Sequence, residues 1–160
     1  MTVTADLPQL GYAPEEIITS EPTRSARYKW VIVVDTAIPA GRMVNAVACI
    51  AASTGALVGG LIAPGGPDAS GSPHPGLPWA GCSVLGGGAE EIALVRGRAA
   101  AAGGMLVVDM PAAAQAHRVY DDYLAELART TPEDLATCAF SIVGRRNQVD
   151  KITRKLALLP

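Results

Sequence analysis

Asp35, Thr36, Arg42 and Asn45 fall together in one short stretch, DTAIPAGRMVN. Each brings a chemistry. A carboxylate accepts protons, and a guanidinium grips a carboxylate or phosphate with two parallel hydrogen bonds. Arg42 stays charged at every accessible pH, so it binds and cannot act as a base. A second carboxylate, Asp109, closes another apolar run, MLVVD. Two carboxylates brought close can share a proton and work as acid and base. His74 stands between Pro73 and Pro75, ahead of Gly76. The prolines fix its backbone, and a histidine titrates near neutrality. The expected acid–base group is therefore Asp109, Asp35 and His74, with Arg42, Asn45 and Thr36 binding substrate. Simpler accounts stand beside these. Each aspartate precedes a helix, where Asp serves as a cap. Arg42 can be a surface charge, and the prolines around His74 can merely stiffen a loop.

The elements that must position these groups are legible in the hydrophobic pattern. Trp30 to Val34 is a β-branched run of the kind buried on both faces of a sheet. Pro39 and Gly41 make a turn, and a helix follows with Val44, Val47, Ala48, Ala51 and Ala52. The polar cluster thus sits at the carboxyl end of a strand, where open α/β sheets place ligands. Residues 57–80 form a long Gly/Pro-rich connection holding His74, which the spacing predicts as a lid turned toward Arg42 and Asn45. Further on come a strand at 82–85, a helix at 89–102 stopped by Gly103 and Gly104, and a strand at 105–108. A helix from Pro111 to about Arg129, a strand at 136–143 and a final helix at 148–155 complete the chain. Lys151, Arg154 and Lys155 make the last helix basic. Strands alternating with helices predict a three-layer α/β/α sandwich around a four-stranded mixed sheet, which should bring the strands closed by Asp35 and Asp109 near each other.

Composition narrows the function. The net charge of −2 argues against a strongly basic nucleic-acid binder. No uninterrupted apolar run reaches the roughly 20 residues of a membrane span. Three scattered cysteines, Cys49, Cys82 and Cys138, read as reduced thiols in a cytoplasmic protein. No metal-ligand spacing, phosphate loop or nucleophile elbow is present in the pattern, so neither metal nor cofactor is expected. Residues 1–28 read as a partly ordered extension, with Glu15 to Thr19 as a short edge strand, and 29–160 as one domain. The partner expected is a small-molecule substrate or ligand, with no nucleic acid and no membrane; a homodimer is left open.

Three segments carry a family resemblance. KWVIVVDTAIPAGRMVNAVACIAAS resembles the first strand and helix of type II peptidyl-tRNA hydrolases. GCSVLGGGAEEIALVRGRAAAAGGMLVVD resembles their middle strand–helix–strand, and FSIVGRRNQVDKITRKLALLP their C-terminal end. The resemblance implies that Arg42 takes the place of a functional lysine, and that Asp109 matches a functional aspartate. Asn45 stands one turn after Arg42 in place of a glutamine, and the family's histidine falls near Cys49. The segment after Asp109 differs, being MPAAAQAHRVYDDYL. The closer resemblance is to the DUF2000 group of small proteins, a group without an assigned activity. It shares VVD…PxGxxxNxxA, the HPG loop and the YDxYLxxL helix, seen here as YDDYLAEL. These changes argue against tRNA hydrolysis. They leave a small enzyme for hydrolysis, or a related acyl or proton transfer, on a carboxylated or acylated metabolite. The alternative is a non-catalytic binding or interaction domain.

Overall fold

Val31, Val33 and Val34 are fully buried, and they belong to the central strand of a mixed five-stranded sheet. The computed structural model describes residues 7–160; residues 1–6 of the expected extension lie outside the described residues. The elements are β1 (Tyr28–Asp35), α1 (Ala40–Leu57), β2 (Gly66–Pro67), β3 (Pro73–His74), β4 (Ser83–Gly87), α2 (Ala89–Ala101) and β5 (Leu106–Pro111). They continue with α3 (Ala112–Ala116), α4 (Tyr120–Leu127), β6 (Thr137–Arg145), α5 (Arg146–Thr153) and β7 (Ala157–Leu158). The sheet order is β5-β6-β1-β4-β7. β1 runs parallel to β4 and antiparallel to β6, which also pairs antiparallel with β5.

The fifth strand corrects the expected four. β7 pairs through only two residues, Leu158 with Leu85 and Ala157 with Gly86. Two residues carry no period, so nothing in LALLP marks a strand.

Alternation along β1 divides the core. Trp30, Ile32 and Val34 join Ile50 of α1 and Leu106 in one cluster. Val31 and Val33 join Ile92, Val95, Phe140 and Val149 in another, which α2 and α5 help build. A polar thread is buried in the first. Trp30 Nε1 donates to Ser141 Oγ at 2.8 Å, and the hydroxyls of Thr54 and Ser141 are bonded at 2.8 Å. Thr54 also donates to the Ile50 carbonyl at 2.7 Å. α1 is long and apolar enough, by length and composition alone, to cross a membrane. Here Ala46, Ile50 and Thr54 are its buried residues, and Ile50 and Thr54 tie it to the sheet.

Two further expectations change. The helix expected from Pro111 to Arg129 is broken at His117, whose backbone is extended (φ −92°, ψ 142°). The apolar stripe from Tyr120 to Leu127 belongs to α4, while α3 is an alanine turn holding Gln115. Glu15 to Thr19 forms no strand. Pro14 to Glu16 is instead a 3-10 turn, closed because the Glu16 carboxylate accepts the Ala13 N–H at 2.8 Å. From residue 7 onward the N-terminal segment reaches back onto the domain through Tyr12. That ring is buried edge-on against Tyr28 and Trp79, with centroids 5.4 and 4.9 Å away.

Candidate functional site

A cleft of about 450 Å³ opens beyond the carboxyl end of β1. Asp35 and Arg42 line one wall, Glu90 and Ala93 of α2 another, and the segment from Glu133 to Cys138 the third. The β1–α1 turn places Asp35 and Arg42 here because the strand ends at the sheet rim and Pro39 starts the helix at once. Pro39 is the N-cap and makes no side-chain cap, so the first-turn N–H groups receive no side-chain oxygen there. Such a helix start favours anions.

Arg42 is held from two sides. Its Nε donates to Gln115 Oε1 at 2.9 Å, and an Nη2 hydrogen points to Cys138 Sγ at 3.7 Å. Gln115 returns the contact: Nε2 donates to the Arg42 carbonyl and to Asn45 Oδ1, both at 3.0 Å. One glutamine amide therefore fixes both substrate-binding candidates of α1. The sequence reading missed Gln115. Its only signal is being the one polar side chain of α3, AAAQA.

Arg42 makes no ion pair among the described residues, so its charge is open to a ligand. Around it stand four carboxylates, those of Asp35, Glu90, Glu133 and Asp134. Asp35 Oδ1 accepts the Ala37 N–H at 2.9 Å, which is a turn-capping role. Thr36 is occupied too: its N–H and Oγ1 both donate to the Gly87 carbonyl, at 3.0 and 3.3 Å, and stitch β1 to β4. Cys138 is buried, and burial pushes its thiol up in pKa; the Arg42 guanidinium offsets this only in part. Its thiolate, the nucleophilic form, is thereby suppressed.

Of the expected site residues only Asp35 and Arg42 line this cleft; Thr36, Asn45, Asp109 and His74 do not. β6 lies between β1 and β5 and puts Asp109 level with Val33, so Asp35 is two strand spacings across and two residues along from Asp109, roughly 12 Å away. That corrects the expected neighbouring pair: a proton cannot be shared over such a gap. Asp109 instead takes Arg96 of α2 in a bidentate ion pair, with Nε and Nη2 at 2.8 and 2.7 Å. His74 Nε2 meets Asp68 Oδ2 at 3.2 Å, and the side chain is 65% exposed. The expected turn of His74 toward Arg42 or Asn45 is therefore absent. The physical reason is local: β2 and β3 pair the loop with itself, Gly66 opposite His74. Gly65 and Gly76 let it close so tightly that a Cβ on either would overlap the backbone opposite. Among the described residues no group of three His, Cys, Asp or Glu side chains is arranged to hold a metal ion.

The family model described as "Protein of unknown function (DUF2000)" matches residues 28–160. The chain belongs to that family. No curated protein matches it. Among solved structures it is similar to the protein of unknown function Atu0240 from Agrobacterium tumefaciens strain C58. That likeness has a TM-score of 0.72 and 16% sequence identity, over 84% of this chain and 98% of the other. At that identity it speaks for the fold alone.

Proposed function

We propose that this protein handles a small carboxylated or acylated metabolite in the Asp35–Arg42 cleft, by hydrolysis or a related acyl or proton transfer. The observation that carries the reading is the braced guanidinium of Arg42, without an ion pair, in a largely apolar cleft whose other charged groups are four carboxylates. Arg42 grips a carboxylate or developing oxyanion of the ligand. Asp35 keeps Oδ2 for water or a substrate proton, since Oδ1 holds the turn. The surrounding acids favour a substrate that also bears an ammonium group, such as an amino-acid derivative. Asn45, through its bond from Gln115, supports the side chain that holds Arg42. In this reading Asp109 serves by holding Arg96, and the thiol of Cys138 is not the nucleophile. The fold we assign is the three-layer α/β/α type of the type II peptidyl-tRNA hydrolases. Arg42 in place of a lysine and Cys49 near the place of a histidine speak against that enzyme's own reaction. Three free cysteines fit a reducing, cytoplasmic setting.

A second reading, a non-catalytic binding domain, is favoured by a specific observation: Asp109 is locked to Arg96 and His74 to Asp68, so neither joins Asp35 at the cleft. One experiment separates the two. The protein is screened against dipeptides, which carry both a carboxylate and an ammonium group, and against N-acyl amino acids and amino-acid esters, which lack one or the other, by mass spectrometry, alongside thermal shift with the same compounds. Turnover that vanishes in Arg42→Ala and persists in Cys138→Ser supports the enzyme. Thermal stabilisation without turnover supports the binder. Turnover undiminished in Arg42→Ala overturns the site.

A further inference from the structure

The opposite character of a second groove is independent of the cleft just described. The end of α2 and one face of α5, from Gln148 to Ile152, border an open groove of about 510 Å³. Arg98, Lys151 and Arg154 line it, Gln148 adds an amide, and Met105 and Ile152 give it apolar walls. No carboxylate lines this groove. Among the described residues none of the three cations makes a salt bridge. Arg27, Lys29 and Arg96, by contrast, are answered by Glu16, Asp150 and Asp109. Arg98 and Lys151 lie in the last turns of their helices, where a cation complements the macrodipole. That accounts for a charge at each helix end. It does not account for two ends converging, with Arg154, on one concavity of ligand size.

Like charges gathered in a concave, partly apolar site raise the local potential and attract an anion. A monocarboxylate would answer one of the three. A phosphate monoester carries close to two negative charges at neutral pH and accepts several hydrogen bonds. Half-buried Ile152, beside the small exposed edge of Met105, offers apolar contact to a body attached to that phosphate.

We propose that this groove is a binding site for a soluble phosphate monoester with an apolar body. The test is an amide NMR titration of the full chain with phenyl phosphate, inorganic phosphate and benzoate. Saturable shifts are expected at Arg98, Gln148, Lys151 and Ile152. Phenyl phosphate should bind about tenfold more tightly than inorganic phosphate or benzoate, because each lacks one of the two recognised features. Arg98→Gln and the double variant Lys151→Gln/Arg154→Gln should each weaken phenyl phosphate by about tenfold while keeping native spectra. Arg42→Ala should leave this affinity unchanged, so failure at one site is distinguishable from failure at the other. No saturable shift in the groove, equal affinity for all three probes, or shifts that survive both groove variants overturns the proposal. Binding to phosphatidate vesicles with no response to phenyl phosphate overturns the soluble-ligand assignment.

Discussion

Arg42 and Gln115 are bonded twice, guanidinium to amide oxygen at 2.9 Å and amide nitrogen to main-chain carbonyl at 3.0 Å. The pair joins the first turn of α1 to α3 across more than seventy residues of chain. A free arginine side chain loses up to ~2 kcal/mol of rotamer freedom on being fixed. Gln115 fixes it before a ligand arrives. Gln115→Ala should therefore weaken binding of the cleft ligand about fivefold, equivalent to one neutral hydrogen bond of about 1 kcal/mol. Its melting temperature should hardly move, because both groups are reachable by water. Gln115→Glu should weaken binding as well, since its carboxylate would neutralise Arg42. Isothermal titration with whichever ligand the screen identifies measures both; equal affinity in all three proteins would remove Gln115 from the site.

Asp109 and Arg96 make a different kind of pair. Their side chains are 19% and 23% exposed, and both oxygens of the carboxylate are used. Tyr123 of α4 is near: burial first, then Tyr120 and Asp109, push its phenol up in pKa. Asp109→Asn should cost about 1–3 kcal/mol of stability, because it leaves a half-buried guanidinium without its counter-charge. Asp109→Asn/Arg96→Met should recover part of that loss. Urea denaturation of the four-membered cycle is the measurement. A cost below about 0.5 kcal/mol would reduce the pair to a surface ion pair and reopen a chemical role for Asp109.

The sequence carried the sheet better than the site, and particular residues show why. β1 announces itself through β-branched residues buried at consecutive positions, and β6 and the Met105–Val108 run through short unbroken apolar stretches, a signal internal to each segment. Which strands become neighbours is not internal to any segment. β6 inserts between β1 and β5, and that single pairing choice separates Asp35 from Asp109. Gln115 was hidden for a related reason: its value comes from Asn45 and Arg42, seventy and more positions earlier. His74 illustrates the converse. Its flanking prolines do restrain it, but restraint has no direction, and the partner proved to be Asp68, six residues away.

Ser141 is the joint of the buried polar thread between α1 and the sheet. Ser141→Ala removes the acceptor of Trp30 Nε1 and the partner of Thr54, both buried. The expected cost is about 1–3 kcal/mol, that of leaving a buried donor unsatisfied, with little contribution from lost volume. Thr54→Val should cost less, since Trp30 keeps its acceptor. Tryptophan emission provides a second readout: the Trp30 contribution should shift in Ser141→Ala and stay in Thr54→Val. The reverse ranking of the two variants would show that Thr54, rather than Ser141, organises the thread.

The hairpin of β2 and β3 offers the cleanest pH test, because its chemistry is isolated from the cleft. Asp68 accepts from the hydroxyl and main-chain N–H of Ser70 and the main-chain N–H of Ser72, and meets His74. Its carboxyl is lowered to about 2, first by the Ser70 hydroxyl and next by His74. A depressed carboxyl favours the folded hairpin while it is ionised. The contribution is complete above the ordinary aspartate range, near 4, and is lost as the pH falls toward about 2. Carbon-detected NMR of Asp68 should show that low midpoint, and the hairpin amides should broaden or shift over the same interval. Ser70→Ala should raise the midpoint more than His74→Ala does, following the order of the two bonds. His74→Ala should leave both the melting temperature and the affinity for the cleft ligand where they are, since the imidazole faces its own loop. A clear loss of ligand affinity in His74→Ala, with Asp68 still titrating near 2, would instead show the loop closing over Arg42 when ligand is bound.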